Sequence, residues 1–140
     1  VFLGCGRHRL QLMRDSLGSA LNWCRECLNP LGARKICFDA GDRAFVCDVG
    51  FRAGLFPFQT SPPPPVRGAY VSVFDTDGRL LSRWGGSDNP CAPGDFYAPH
   101  GICVDSRGAV YVGEVIMSAG GYKGKISPTC HSLQKFVPAG

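Results

Sequence analysis

The sequence predicts an all-β chain of two similar units of antiparallel strands, preceded by a helical segment. Three observations predict it. A stretch of fourteen residues recurs at a constant offset of 66. Seven short runs of β-branched and aromatic residues are each bounded by Gly, Asp or Pro. Gly and Pro together make up 30 of 140 residues, well above the average of roughly 12%. The chain turns often, yet its hydrophobic share of 44% is that of a globular protein. The length allows one domain. No run nears the roughly 18 apolar residues of a membrane-spanning helix.

Residues 1–29 stand apart from the rest. Leu10, Met13, Leu17, Leu21, Cys24 and Leu28 recur three or four residues apart, which puts them on one face of a helix. Gly18 weakens that helix, and Pro30 stops it. The net charge of +4 also belongs here: residues 1–35 hold six basic and two acidic groups, and the remainder is neutral. A basic helix face in solvent accounts for this. Nucleic-acid binding would need clustered Lys and Arg on a recognition element, and none is present. Val1–Cys5 lacks the charged start and long apolar run of a secretory signal.

The strands follow. They are expected at Arg34–Asp39, Arg43–Asp48, Tyr70–Asp75, Leu80–Trp84, Gly101–Asp105, Ala109–Val115 and Ser132–Val137. Asp39–Asp42, Asp75–Gly78 and Asp105–Gly108 read as tight hairpin turns. Two loops interrupt the strands. Gly50–Gly68 contains Pro62–Pro65, a stiff spacer whose composition also suits an SH3-type ligand. Met117–His131 holds Gly120 and Gly121 and reads as a surface loop.

The repeat orders these runs. Ile36–Val49 aligns without a gap on Ile102–Val115, with Ile, Cys, Asp and two Val matched and the apolar positions in phase. Val73, Phe74 and Gly78 align with Lys135, Phe136 and Gly140 at an offset of 62. A unit of two hairpins has the four antiparallel strands of one β-propeller blade. The domain organisation is then 1–29, a helical segment; 30–86, a first blade with a Pro-rich insertion; and 87–140, a second blade lacking its last strand.

Phe96–Glu114 (FYAPHGICVDSRGAVYVGE) resembles the NHL repeat, with its Pro-x-Gly-Ile-x-Val-Asp, turn Gly and Val-Tyr-Val-x-acid pattern. Val71–Gly85 resembles that family's second hairpin, and Ser132–Phe136 its opening strand. The resemblance covers about residues 30–140. It is looser in the first unit, which has Pro30-Leu31-Gly32 where the second has Pro99-His100-Gly101. It implies a partial β-propeller, about two blades of a six-bladed ring. The first strand of each blade would line a central channel, with His100 and Gly101 facing it. Gly101 would then be needed for close backbone approach. Two blades cannot close a ring, so the chain reads as a fragment of a larger propeller or as a unit that self-associates. The implied role is a binding or scaffold module for a protein or small-molecule ligand.

The alternative is a fragment of a metal-dependent propeller enzyme. His100 resembles a zinc-binding His of the peptidyl-hydroxyglycine amidating lyases, which share this fold and use three such His. Only one is here, because the matching residue of the first unit is Leu31. A calcium lactonase would need converging oxygens, and Glu114 and Asp48 are the matched acids. Their plainer role is to hold the loop that follows, as Asp39, Asp75 and Asp105 hold turns. No cofactor is expected for this chain itself, with zinc or calcium reserved for a parent enzyme.

Cysteine usage leaves several readings open. Cys24 and Cys27 form a single CxxC, whereas structural zinc usually takes a second pair. Cys37 and Cys103 occupy equivalent strand positions and are expected to be small buried residues. Cys91 and Cys130 flank the second unit in loops and are candidates for a disulfide in an oxidising compartment, secreted or periplasmic. No Ser-His-Asp spacing and no glycine-rich phosphate loop are found.

Overall fold

The computed structural model describes residues 33–50 and 68–139. The helical segment expected at 1–29, Cys24 and Cys27, and Pro62–Pro65 lie outside the described residues. Seven strands form: β1 (Ala33–Phe38), β2 (Ala44–Asp48), β3 (Tyr70–Phe74), β4 (Leu80–Gly85), β5 (Pro99–Val104), β6 (Val110–Glu114) and β7 (Leu133–Phe136). They make two antiparallel sheets, β1-β2-β3-β4 and β5-β6-β7, each in sequence order. All seven lie where the alternating runs predict them, within a residue or two at each end.

The two sheets repeat each other in register. Ile36 pairs Val46, as Ile102 pairs Val112; Ala44 pairs Phe74, as Val110 pairs Phe136. The register shift between Ala33 and Lys35 recurs between Pro99 and Gly101. So the offsets of 66 and 62 hold strand for strand, down to one irregularity. Bulges are designed features of a strand, and a shared one argues for a shared plan.

The hairpin turns repeat too. Asp39, Asp75 and Asp105 each accept from the backbone N–H groups two and four residues on, at 2.8–2.9 Å. This is the local side-chain bonding that makes Asp a turn former. The residue three positions on is left-handed in every case: Gly78 at φ 79°, Gly108 at φ 81° and Asp42 at φ 61°. Arg43 adds a side-chain pair, with Nε and Nη2 both 2.6 Å from Asp39 Oδ2. Burial opposes ionisation of Asp39, but the Arg43 backbone and guanidinium outweigh it and hold the carboxyl below its usual range.

Cross-strand pairing sorts the side chains into faces. On the first sheet, Cys37, Phe45, Cys47, Val71, Val73 and Trp84 share one face. On the second, Ile102, Val104, Val110, Val112 and Phe136 share the opposite one by the repeat. These two faces pack together, with Phe96, into the main core. Cys47, Val71, Phe96 and Val112 are fully buried in it. Trp84 and Phe136 meet edge to face at 5.4 Å, as do Phe96 and Phe136 at 6.0 Å. The sheets therefore stack head to tail rather than by mirrored faces.

Residues 116–131 are more than the surface loop expected. Ile116 and Ala119 are buried with Tyr97 and Ala98, and Ile126 and Cys130 pack against them. A 3-10 turn at Gly121–Lys123 completes the segment.

Candidate functional site

Three places carry chemistry: the start of β5, the segment joining the sheets, and the outer face of the second sheet. The first is where the sequence puts His100 and Gly101. His100 is the extra residue of the β5 bulge, between the pairs Pro99–Glu114 and Gly101–Gly113, and its counterpart in the β1 bulge is Arg34 rather than Leu31. His100 is exposed. Among the described residues, no three His, Cys, Asp or Glu side chains gather as metal ligands. The residues present therefore do not fit a three-His zinc site, and no step is derived through one. Gly101 lies beside His100 on β5. A Cβ built there meets nothing within 4 Å, so no contact within the chain itself demands glycine.

The second place is residues 86–98, which join β4 to β5. Asp95 Oδ1 accepts from Gly86 N at 2.6 Å, Phe96 N at 2.9 Å and Ser87 N at 3.2 Å, and its Oδ2 accepts from the Ser87 hydroxyl. This buried carboxylate fixes the end of β4 and seats Phe96 between the sheets. Gln134 of β7 donates to the Asp95 carbonyl and accepts from Gly94 N, both at 2.8 Å. The His131 ring nitrogen lies 3.2 Å from that carbonyl and 3.1 Å from Glu114 Oε1. The Glu114 side chain is wholly buried. Its Oε2 accepts from Tyr97 N at 2.7 Å and Ala98 N at 3.2 Å. Burial pushes its carboxyl up, against the pull of those two N–H groups and of His131. A disulfide joins Cys91 to Cys130, with Cα atoms 5.1 Å apart. The joining segment is thus tied to the second sheet by one covalent and several polar links.

Asp48 meets the expectation set for the two acids, and Glu114 departs from it. Asp48 accepts from Gly50 N at 2.7 Å and so holds the loop that follows. Glu114 holds the segment before its sheet. Its side chain reaches past its strand partner Pro99 to the backbone N–H groups of Tyr97 and Ala98, just before β5.

The third place is the outward face of β5-β6-β7. Gly101 pairs Gly113, which pairs Leu133; Cys103 pairs Tyr111, which pairs Lys135. Neither glycine has an atom within 4 Å of a built Cβ. Leu133 is 65% exposed, whereas Val71, its counterpart, is 0% exposed. Lys135 lies over the Tyr111 ring at 5.2 Å, and the Tyr111 hydroxyl donates to Asp105 at 3.2 Å. The Tyr111 hydroxyl beside it holds the Lys135 amine above its ordinary range, with Asp105 adding to this.

Cys103 is exposed rather than buried as expected, because it stands on this open face. Its counterpart Cys37 is half-buried against the second sheet. Burial, reinforced by Cys103 and Cys47 nearby, pushes the Cys37 thiol up to about 12. Burial likewise takes Cys47 to about 11. Neither is a ready nucleophile.

Sequence reasoning missed Asp95, Gln134 and His131 as a group. The available signal was Glu114, a carboxylate on an inward-packed strand, which must find donors once buried. Among the described residues, no helix is long and apolar enough to cross a membrane. Compared with protein-family models and with curated proteins, the sequence finds no match.

Proposed function

We propose that the chain is an NHL-type β-propeller repeat module with a binding or scaffold role, supplying about two blades of a larger ring. One observation carries this reading. The two sheets share register, bulge and turns, and the face that the first presents to the second is the face that the second leaves open. Head-to-tail stacking leaves a face open on the last unit until a ring closes, so the outer face of β5-β6-β7 suits a further unit of the same kind. Leu133 and Cys103 are its apolar contacts, and Gly101 and Gly113 leave room for a side chain from outside. No observation favours the metalloenzyme alternative, which draws on His100.

Sedimentation velocity tests the proposal. The chain is expected to self-associate as concentration rises, and Leu133→Asp to suppress that association while keeping the wild-type far-UV spectrum. A compact, cooperative monomer at all concentrations would overturn it. So would association that Leu133→Asp leaves untouched.

A further inference from the structure

The disulfide and the buried carboxylate of the joining segment are described above as separate ties. Their placement makes them one device. Cys130 is followed directly by His131, and three residues later by Gln134. Cys91 is followed three and four residues on by Gly94 and Asp95. The covalent bond therefore closes the same two segments that His131 and Gln134 join to the Asp95 carbonyl and to Gly94 N. Glu114 lies beneath, with Oε2 on Tyr97 N and Ala98 N and Oε1 facing His131.

We infer that Cys91–Cys130 is a redox gate on this clasp: its reduction releases His131 from Glu114 and loosens the segment that seats Phe96 between the two sheets. Both cysteines are half-buried, within reach of a small dithiol. In the step, a dithiol thiolate attacks one sulfur, the Cys91–Cys130 bond breaks, and the second dithiol sulfur resolves the mixed disulfide. Two electrons and two protons pass to the protein, which gains two thiols, and the dithiol leaves as its own disulfide. Residues 130–132 then stay in place only through non-covalent contacts. Around Glu114, two polar partners remain, the N–H groups of Tyr97 and Ala98, both on Oε2. Asp95 does not replace His131, since its carboxylate is engaged by Gly86, Ser87 and Phe96. A buried carboxylate that loses its facing imidazole is destabilised, and it pulls on the backbone it holds.

A disulfide that only shortens the unfolded chain gives a different outcome. Closing a loop of 39 residues stabilises whatever Glu114 does, and reduction then costs every variant the same, on the order of 10–15 °C in Tm. The gate makes the two ties non-additive. The experiment measures Tm with and without a dithiol reductant for wild type, Glu114→Gln and His131→Asn. The expected result is a loss on reduction at least about 4 °C smaller in both variants than in wild type. Equal losses in all three would overturn the gate and leave a passive staple. Should the variants fail to fold, amide hydrogen exchange of the wild type decides. Reduction is expected to speed exchange at Tyr97 and Ala98 at least about tenfold while the β2 and β3 amides hold. Unchanged protection at Tyr97 and Ala98 would overturn the proposal.

Discussion

The two sheets have the same register and opposite fates. Val71 and Leu133 occupy one position of the third strand, yet one is 0% and the other 65% exposed. Phe45 and Val73 are core residues of the first sheet, whereas Tyr111 and Lys135 meet solvent on the second. Backbone pairing is thus set locally, by alternation and by the Asp turns. Burial is set by what stacks on the face. The substitutions track this. Where the face is covered, the sequence has Phe, Cys and Val; where it is open, it has Tyr, Gly, Leu and Lys at the same sites.

The sharpest way to break this comparison is to place one charge at each member of a pair. Val71→Asp is expected to cost at least about 4 kcal/mol, since an unpaired carboxylate enters a packed core. Leu133→Asp is expected within about 0.5 kcal/mol of wild type. Chemical denaturation of the two variants checks it, and equal costs would show the faces to be equivalent.

The turns give the next effect. Asp39→Ala removes the acceptor of two backbone N–H groups and the Arg43 pair, with an expected loss of about 5 °C in Tm at pH 7. The folded Asp39 carboxyl titrates below its unfolded counterpart. Its stabilisation is therefore present above the unfolded value and lost as pH falls through the folded one. The gap between wild type and Asp39→Ala should narrow as pH falls below the unfolded carboxyl's range and through the folded one. A gap that stays constant on acidification would remove the electrostatic part of the account.

Asp42 is the one turn residue with a left-handed backbone where its two counterparts are glycine. Asp42→Gly is expected to stabilise by about 0.5–1 kcal/mol, read by thermal unfolding. A loss of stability would show that the Asp42 side chain contributes more than its backbone strain costs. The smallest effect belongs to Gly101→Val. A side chain there enters open space, so a change within about 0.5 kcal/mol is expected. A large loss would restore the tight channel approach that the sequence suggests.

Strands and turns were legible because their signals are local. Alternation marks strands, and Asp39, Asp75 and Asp105 close hairpins with their own side chains. The repeat was legible because register copies directly into sequence offset. The joining segment was not. Asp95, His131 and Gln134 meet across about forty residues, and nothing in their spacing marks them before the sheets are stacked. Cys37 and Cys103 show the same limit. Identical positions predict identical burial, and they differ because the first sheet's face packs on the second sheet while the face carrying Cys103 is open. His100 was prominent by motif, yet the bulge leaves it exposed and outside any cluster of described ligands.

That cysteine pair supplies the most direct test, because it needs no substitution. Native protein, diluted to where it sediments as a monomer, is treated with iodoacetamide, and the labelled positions are read by peptide mass. The head-to-tail stacking of the two sheets predicts rapid labelling of exposed Cys103, with Cys37 and Cys47 protected by burial and by thiols held near 12 and 11. Equal labelling of Cys37 and Cys103, or protection of Cys103 alone, would contradict it.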